Sequence, residues 1–338
     1  MKIQILMSAY NGSQYIKTQL DSIAAQSSYG GILLDGNSGQ TPMPKRKEES
    51  SHEDEGMELS LLVRDDGSAD GTIAILNDYC CRFPWINYYG GSNIGVRASF
   101  LELIQKADTD ADYYALADQD DEWLPGKLGR AVQCLRRLEV PSEIPQLYCS
   151  AKHIVDQDMK PCPSAIRQQV LHPSFGNALV ENICTGCTAV FNKALLDLIM
   201  KYPVKTPQEM IMHDWWLYLT AGCFGHVFFD KEAYILYRQH GDNAFGARLS
   251  QRDLLMYRLR ELRKPRGEIF RQVSLFLETY AGLLALTQYH ENYQLAANLL
   301  TGRDSVCARF RLAASPLYFR QKWTDDLIFR AILLIGKL

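Results

Sequence analysis

The 338-residue chain has no long apolar run and lacks the short motifs of several large enzyme classes. No stretch approaches the roughly 18 to 20 apolar residues that a membrane-spanning helix requires. There is no GxGxxG after the first apolar segment, no GxxxxGK[ST] and no GxSxG, so a dinucleotide fold, a P-loop enzyme and an α/β-hydrolase are not supported. The start, MKIQILMSAYNG, has one Lys before polar turn residues and predicts a first strand rather than a secretory signal. We therefore expect a cytoplasmic protein.

Closely spaced cysteine pairs are also scarce. The nine cysteines form an odd set, and CTGC at 184–187 is the one C-x-x-C pair. With no second such pair and no His pair at metal spacing, the pattern favours buried thiols over a zinc site. An odd set scattered through a chain of this length fits a reducing compartment better than a disulfide framework.

Charge is unevenly distributed along the chain. Residues 246–338 hold 15 Lys and Arg against 8 Asp and Glu, whereas the first 245 residues hold 21 against 31. The basic segment ends in LIFRAILLIGKL, which can lie on an anionic membrane surface. An ordinary helical cap with a solvated basic face explains the same pattern, and the sequence leaves both interpretations open.

Short apolar strand patterns alternate with helical ones through the first half of the chain. This alternation predicts an α/β fold with a parallel sheet. Ligands bind such sheets beyond the carboxyl ends of the strands. The polar segments that close the predicted strands therefore mark the expected site: residues 8–11, 65–68, 91–93 and 118–121.

One segment interrupts the alternation. Residues 29–57 are dense in Gly, Ser, Pro and charge and have no sustained period, which predicts a disordered insertion. After about Ser250 the alternation stops and helical patterns take over, so residues 247–338 are predicted to form a helical, basic C-terminal extension.

Crowded carboxylates end one apolar run. In YYALADQDDEW, Asp118 and Asp120 lie two residues apart at a predicted strand end. Like charges at this spacing are costly unless a cation meets them, and carboxylate oxygens are the ligands of Mg²⁺ or Mn²⁺ on a substrate phosphate. A structural acidic turn is the alternative. Asp66, in RDDGSADGT, precedes a tight turn that is also consistent with a helix cap.

A further carboxylate follows downstream. MHDWWLYLTAG places Asp214 beside Trp215 and Trp216 at the predicted start of a helix. The side chain of Asp214 can cap that helix. It can also serve as a general base beside aromatic rings that pack on a sugar, because desolvation raises a carboxylate pKa.

Taken in order, these motifs resemble bacterial glycosyltransferase family 2, and within it the rhamnosyltransferase-like members. The resemblance rests on segments spread over residues 1–246, apart from the insertion: AYNGSQYIKTQLDSI, RDDGSADGT, SNIGVRASF, ADQDDEW, TGCTAVFN, HDWW and YRQHGDN. It implies a GT-A type fold, meaning a Rossmann-like, mixed but mostly parallel sheet flanked by helices, over residues 1–246. It also implies a nucleotide-sugar donor, a divalent cation (Mg²⁺ or Mn²⁺) and inversion at the anomeric carbon.

Carried over to matching positions, the resemblance implies a nucleotide pocket at the strand ends. Ala9, Tyr10 and Asn11 would surround the base. Asp66 would contact the base, and Asp118 would contact the ribose. These residues lie in three of the polar segments that close predicted strands.

The resemblance also implies a phosphate and metal region. Asp120 would hold the cation on the diphosphate, Arg97 would reach a phosphate, and His240 would close over the diphosphate or metal. A surface ion pair is the alternative for Arg97, and a buried, hydrogen-bonded core histidine is the alternative for His240.

On the acceptor side, Gly186 would shape the pocket and Asp214 would match the catalytic base, with Trp215 and Trp216 beside the sugar. The implied reaction moves rhamnose from dTDP-rhamnose to a hydroxyl of a growing cell-surface polysaccharide or lipid-linked glycan, at the inner face of the cell membrane. Transfer from another donor such as a UDP-hexose, a nucleotidyltransferase and a catalytically silent binding protein are the alternatives. We expect no nucleic-acid partner, and the sequence leaves the oligomeric state open.

Overall fold

The computed structural model describes residues 1–26, 56–162, 170–239 and 267–336. Most of the predicted insertion at 29–57 lies outside the described residues, and so does His240. The predictions made for both therefore remain predictions.

An eight-stranded sheet organises the described chain, with the order β3-β2-β1-β4-β7-β6-β8-β5. The strands are β1 (Lys2–Ala9), β2 (Glu58–Asp65), β3 (Ile86–Gly90), β4 (Tyr113–Asp118), β5 (Glu122–Trp123), β6 (Gln146–Val155), β7 (Val190–Asn192) and β8 (His226–Arg238). The first four strands are mutually parallel, and β6 pairs with β8 in parallel, whereas β7 and β5 run antiparallel to their neighbours. The sheet is thus mixed and mostly parallel, as predicted.

Helices connect the strands and cover the sheet. They are α1 (Ile16–Ala25), α2 (Thr72–Arg82), α3 (Gly95–Gln105), α4 (Lys127–Arg136), α5 (Phe175–Ala178), α6 (Lys193–Lys201), α7 (His213–Phe224), α8 (Glu268–Thr279), α9 (Ala281–Leu284), α10 (His290–Thr301), α11 (Val306–Ala314) and α12 (Trp323–Leu334). Among residues 267–336 every long element is helical, which confirms the helical character predicted for the C-terminal region.

Two apolar cores lie on opposite faces of the sheet. Strand β1 shows the division, since Leu6 joins one core while Ile5 and Met7 join the other, as the alternation of side chains along a strand requires. The core that contains Leu6 also includes Trp216 of α7 and Phe276 of α8. The described C-terminal helices therefore pack on the same core as the sheet.

Strand register brings the predicted polar segments together. Ala9 is the register partner of Asp65, and Ser8 is the partner of Asp118. Asp65 is in turn paired with Gly90. The carboxyl ends of four neighbouring parallel strands thus meet at one edge, where such sheets bind ligands.

Over the ranges that the structure describes, no helix is both long enough and apolar enough to cross a membrane.

Candidate active site

An acidic group lies at the carboxyl end of β4. One carboxylate oxygen of Asp118, one of Asp121 and the thiol sulfur of Cys187 all lie within 4.8 Å of one another. Asp121 and Cys187 are fully buried, and Asp118 is half-buried. Asp118 is the last residue of β4 and Asp121 lies in the loop that leads to β5, whereas Cys187 belongs to the CTGC segment.

The pKa values of these acids are strongly raised. Burial, followed by the carboxylates of Asp121, Asp120 and Asp214, raises the pKa of Asp118 well above its ordinary value. Burial and Asp120 raise the pKa of Asp121 to about 7. Ionising both acids together is therefore unfavourable unless a cation joins them.

Arg238 is hydrogen-bonded to the acidic loop, defined here as residues 118–121. Its backbone N–H donates to Asp121 Oδ1 at 3.0 Å, and its guanidinium donates to the backbone oxygens of Asp120 and Gln157, each at 2.7 Å. The guanidinium also lies 4.7 Å from the centre of the Tyr15 ring. These contacts fix the direction in which the loop points its carboxylates.

Two lysines lie near the acids in different ways. Lys127 Nζ is buried 3.9 Å from the centre of the Trp123 ring and has no hydrogen-bond partner among the described residues. Burial lowers the pKa of Lys127 to about 8. Lys152 Nζ instead donates to Thr185 Oγ1 at 3.0 Å and faces the Tyr237 ring. Its charge counteracts the burial that raises the carboxylate pKa values, including that of Asp118.

Asp214 lies across the CTGC segment from this acidic group. Its Oδ2 accepts from the backbone N–H of Gly186 at 2.9 Å, while its Oδ1 accepts from Asn182 Nδ2 at 3.0 Å and from Trp215 N at 2.7 Å. Burial, only partly offset by these hydrogen bonds and by Lys152, raises the pKa of Asp214 to about 6. A carboxylate with this pKa can exchange a proton near neutral pH.

Asp214 is not the N-cap residue of α7. The residue at the N-cap of α7 is Met212, which makes no side-chain capping bond. Asp214 is the second residue of the helix. Two of the three hydrogen bonds that its carboxylate accepts come from residues outside the helix. Its carboxylate therefore ties α7 to the CTGC segment.

The neighbours of Gly186 leave little room for a side chain. A Cβ at this position would lie 2.9 Å from His213 Nε2 and 3.6 Å from Asp214 Cβ and Oδ2. His213 in turn stacks on Phe100, with ring centres 4.0 Å apart, and burial lowers its pKa to about 3. The close approach of Gly186 to Asp214 depends on the missing side chain.

The two tryptophans differ in exposure. Trp215 is half-buried, and its Nε1 donates to Ala178 O at 2.6 Å. Trp216 is 1% exposed and packs against Phe276 and Tyr280. The ring of Trp216 thus faces core side chains, which corrects its predicted place beside the sugar. The reason is the orientation of α7, which turns successive residues to different sides.

The segment after β1 holds three of the residues predicted to bind the nucleotide. Gln119 joins this segment to the acidic loop, since its amide accepts from Tyr10 N and donates to Tyr10 O, both at 2.9 Å. Asn11 adopts a positive φ of 46° and accepts a hydrogen bond from Ala69 N. Tyr10 is 46% exposed, whereas Ala9 is buried under the sheet edge.

Asp66 is already engaged by protein groups. It forms a buried ion pair with Arg64 and accepts from the backbone N–H groups of Ile94 and Gly95, each at 2.9 Å. Its neighbour Asp65 binds Gly67 and Ser68 through Oδ2, but its buried Oδ1 has no hydrogen-bond partner in the described chain. The structure therefore places the available carboxylate oxygen on Asp65, while contact of Asp66 with a base remains a prediction.

Arg97 lies at the start of α3. Its side chain donates to Met210 O at 2.7 Å and, more weakly, to Gln208 O at 3.4 Å. This bond directs the guanidinium to the loop before α7, and its role toward a phosphate stays a prediction.

Sequence reasoning passed over several groups that shape this site. Asp121 was grouped with its neighbours, although it is Asp121 that is buried beside Cys187. Arg238 lies two residues before His240 in a motif already singled out. Lys152 and Asn182 belong to segments with no distinguishing pattern, so nothing in the sequence pointed to them.

Comparison with known proteins identifies the family. The model of "Glycosyl transferase family 2" matches residues 4–198, more than half of the chain. The chain belongs to glycosyl transferase family 2. It is 27% identical over 260 residues to the dTDP-rhamnosyl transferase RfbG of Shigella flexneri, covering 72% of this chain and 75% of that relative. It is 22% identical over 306 residues to the uncharacterized glycosyltransferase RP339 of Rickettsia prowazekii (strain Madrid E), covering 87% and 83%.

The fold is similar to that of S. aureus TarS 1-349, whose crystal structure was solved in complex with UDP-GlcNAc. The two share a TM-score of 0.51 at 14% identity, over 91% of this chain and 83% of the other. This likeness confirms the predicted GT-A type fold, and together with the family match it makes the protein a glycosyltransferase.

Proposed function

We propose that this glycosyltransferase is an inverting, metal-dependent enzyme that moves rhamnose from dTDP-rhamnose to a hydroxyl of a growing cell-surface polysaccharide or lipid-linked glycan. The observation that supports it most directly is the position of Asp214. Its carboxylate accepts a hydrogen bond from Gly186 N, and carboxylate oxygens of Asp118 and Asp121 lie within 4.8 Å of the thiol of Cys187, the next residue. A candidate base and a candidate diphosphate site thus lie beside the same short segment.

In this proposal Asp214 takes the proton from the acceptor hydroxyl. Its Oδ2 accepts one hydrogen bond, from Gly186 N, and a carboxylate oxygen has room for a second. The Gly186 N–H and Asn182 hold the carboxylate in place by hydrogen bonds. Attack from the side opposite the leaving diphosphate gives a single displacement, and a single displacement inverts the anomeric carbon.

The acidic group fits a hard divalent cation. Asp118 and Asp121 supply carboxylate oxygens, which Mg²⁺ and Mn²⁺ prefer, and Asp121 Oδ2 is buried without a hydrogen-bond partner in the described residues. The pKa values of Asp118 and Asp121 are raised, so a bound cation would stabilise the ionised form of both carboxylates. A bound cation would supply charge stabilisation for the leaving diphosphate. Asp120, in the same loop, and His240 remain the predicted ligands.

The other nucleotide contacts belong to the same proposal. Ala9, Tyr10 and Asn11 form the β1 side of the pocket. Asp66 directly follows β2 and Asp118 ends β4, the two strands adjacent to β1, and Arg97 lies at the start of α3. Trp215 is the aromatic residue left for the acceptor side.

The choice of rhamnose rests on the 27% identity to a dTDP-rhamnosyl transferase, and an acceptor at the inner face of the membrane rests on the family resemblance. A nucleotidyltransferase would need basic groups in the phosphate loop after the first strand, and SAYNGSQY at 8–15 has none.

A donor panel tests the proposal. Purified protein is incubated with dTDP-rhamnose, UDP-glucose, UDP-GlcNAc and GDP-mannose, with Mn²⁺ or with chelator, and released nucleotide is quantified. We expect dTDP from dTDP-rhamnose in the presence of Mn²⁺ and, when a glycan acceptor with a free hydroxyl is added, a product whose anomeric configuration, determined by NMR, is opposite to that of the donor. Release of pyrophosphate, or retention of configuration, would contradict the proposed reaction.

A further inference from the structure

Helix α11 exposes apolar side chains at one spacing. Val306 and Phe310 are 58% and 60% exposed, and Ala314, four residues further, is exposed as well. Residues four apart lie on one face of a helix. One solvent-exposed stripe of α11 is therefore apolar, where a globular protein normally places polar residues.

Helix α12 repeats this pattern. Trp323 is 75% exposed, Leu327 is 60% exposed, and Ala331 and Ile335 continue the spacing to the end of the helix, both exposed. All four are apolar. A tryptophan exposed to this degree is unusual on a surface that meets only water.

The two helices form one antiparallel hairpin, defined here as residues 306–335. The side chain of Arg309 reaches Leu334 O, and Arg330 NH1 donates to Ser315 O at 3.1 Å. The inward residues Leu312 and Phe329 both belong to the core beneath the hairpin. Because both helices bury their inner residues in the same core, the two exposed stripes lie on its outer side.

Positive charge surrounds the hairpin. Residues 303–336 contain six Lys and Arg against three Asp. Two of the exposed cations are sequence neighbours of exposed aromatic residues, with Arg311 after Phe310 and Lys322 before Trp323. Among the acids, Asp326 is paired with Arg330 at 2.7 Å. The apolar stripes are therefore bordered by the exposed cations of Arg311 and Lys322.

We propose that the hairpin docks on the surface of an anionic lipid bilayer, with its apolar stripes in the headgroup region. An apolar helix face with Trp and a basic border is the combination that such interfaces favour. A protein partner would match the apolar stripes but would give no general reason for the basic border. The inference rests on and deepens the proposed function, because it would bring the enzyme to a membrane in which a lipid-linked acceptor would lie.

Vesicle sedimentation of the full chain, without donor or acceptor, tests the docking. We expect binding to vesicles of equimolar phosphatidylglycerol and phosphatidylcholine, at least tenfold weaker binding to pure phosphatidylcholine, and release by high salt. The triple variant Phe310→Ser, Trp323→Ser, Leu327→Ser should lose at least tenfold in binding, and Arg311→Gln with Lys322→Gln should lose binding to the anionic vesicles. The matched control is Val170→Ser, since Val170 is 57% exposed elsewhere on the surface, and it should bind like the wild type.

Equal binding of the triple variant and the wild type would overturn the docking surface, as would no binding of the wild type. If light scattering shows a wild-type dimer that the triple variant converts to a monomer, and vesicles are not bound, the stripes are an interface between two copies instead. Circular dichroism confirms that each variant is folded. Because no substrate is present, failure here is independent of failure in the donor panel.

Discussion

The backbone N–H of Gly186 donates to Asp214 Oδ2 at 2.9 Å, while the next residue, Cys187, places its thiol within 4.8 Å of carboxylate oxygens of Asp118 and Asp121. A single peptide step therefore fixes the candidate base relative to the candidate metal site. Movement of this segment would displace the candidate base and the thiol beside the acidic group together.

Replacement of Asp214 by Asn should abolish transfer and spare the fold. Asn keeps the size of the side chain and can accept from Gly186 N, but it cannot take up the acceptor's proton. We expect acceptor-dependent transfer to fall by a factor on the order of 10² to 10⁴. Nucleotide binding, measured by titration of dTDP, should stay within a few-fold of wild type.

Normal transfer by Asp214→Asn would mean that another group activates the acceptor. A loss of dTDP binding equal to the loss of transfer would instead indicate a collapsed pocket. Asn182→Ala supplies the intermediate case, because it removes one of the three hydrogen bonds to the carboxylate and leaves the base in place.

Replacement of Gly186 by Ala should reduce transfer more than stability. The new Cβ would lie 2.9 Å from His213 Nε2, so the segment or the imidazole must shift and the Gly186–Asp214 hydrogen bond must lengthen. We expect kcat to fall at least tenfold. The control is Gly282→Ala in α9, where a Cβ meets open space; that variant should keep wild-type kcat and should not lower the melting temperature.

Much of this arrangement could be predicted from the sequence. The alternating strand and helix patterns gave the sheet, and because parallel strands end at one edge, the polar segments after β1, β2 and β4 had to meet. The role of Asp214 depended on its tryptophan neighbours, although only Trp215 remains close to the crevice. Trp216 was placed wrongly because its burial is decided by α8, which lies some sixty residues away in the chain.

Other features could not be predicted, for a physical reason. Lys152 and Cys187 reach the acidic group through strand pairing in the middle of the sheet, and no local pattern encodes that pairing. For Asp65 and Asp66, the sequence does not indicate which carboxylate binds Arg64 and which has an oxygen without a hydrogen-bond partner among the described residues. The choice is set by the Ile94 and Gly95 amides, which arrive from another strand end.

The pH profile should show the raised pKa of Asp214. Its carboxyl must be ionised to act as a base, so kcat/KM should rise with pH through about 6 and then level off. The charge of Lys152 lowers the pKa of Asp214, so Lys152→Met should move the rising limb to higher pH, whereas Lys152→Arg should leave it near the wild-type position. If the rising limb of kcat/KM stays at the same pH in Lys152→Met, the charge of Lys152 does not influence the pKa of the base.

The acidic loop should bind a cation that activity requires. Asp120→Ala should eliminate Mn²⁺-dependent turnover while the protein stays folded, because a predicted metal ligand is lost. Full wild-type activity in chelator would refute metal dependence.

The stability of the apo protein should change with pH in the same region. The folded pKa of Asp121 is raised to about 7, above its unfolded value, so the folded state binds the extra proton between about pH 4 and 7 and loses stability as pH rises through that window. In chelator, the melting temperature should fall from pH 5 to pH 8 more for wild type than for Asp121→Asn. Mn²⁺ should restore the wild type at pH 8 and have less effect on the variant. Equal pH slopes for the two proteins would argue against the raised pKa.

Arg238 should matter for stability as much as for catalysis. Its guanidinium donates to Asp120 O and Gln157 O, and it lies beneath a loop with several carboxylates. Arg238→Met keeps the length of the side chain but removes the donors to these two carbonyls and one positive charge beside the acidic loop. We expect the free energy of unfolding, measured in urea, to fall by about 3 kcal/mol. Arg82→Met removes an exposed pair with Asp78 and should change the free energy of unfolding by less than about 1 kcal/mol.

The loosened loop should also bind Mn²⁺ more weakly in Arg238→Met. A variant as stable as wild type, with unchanged Mn²⁺ affinity, would show that the loop is held in place by its own hydrogen bonds instead.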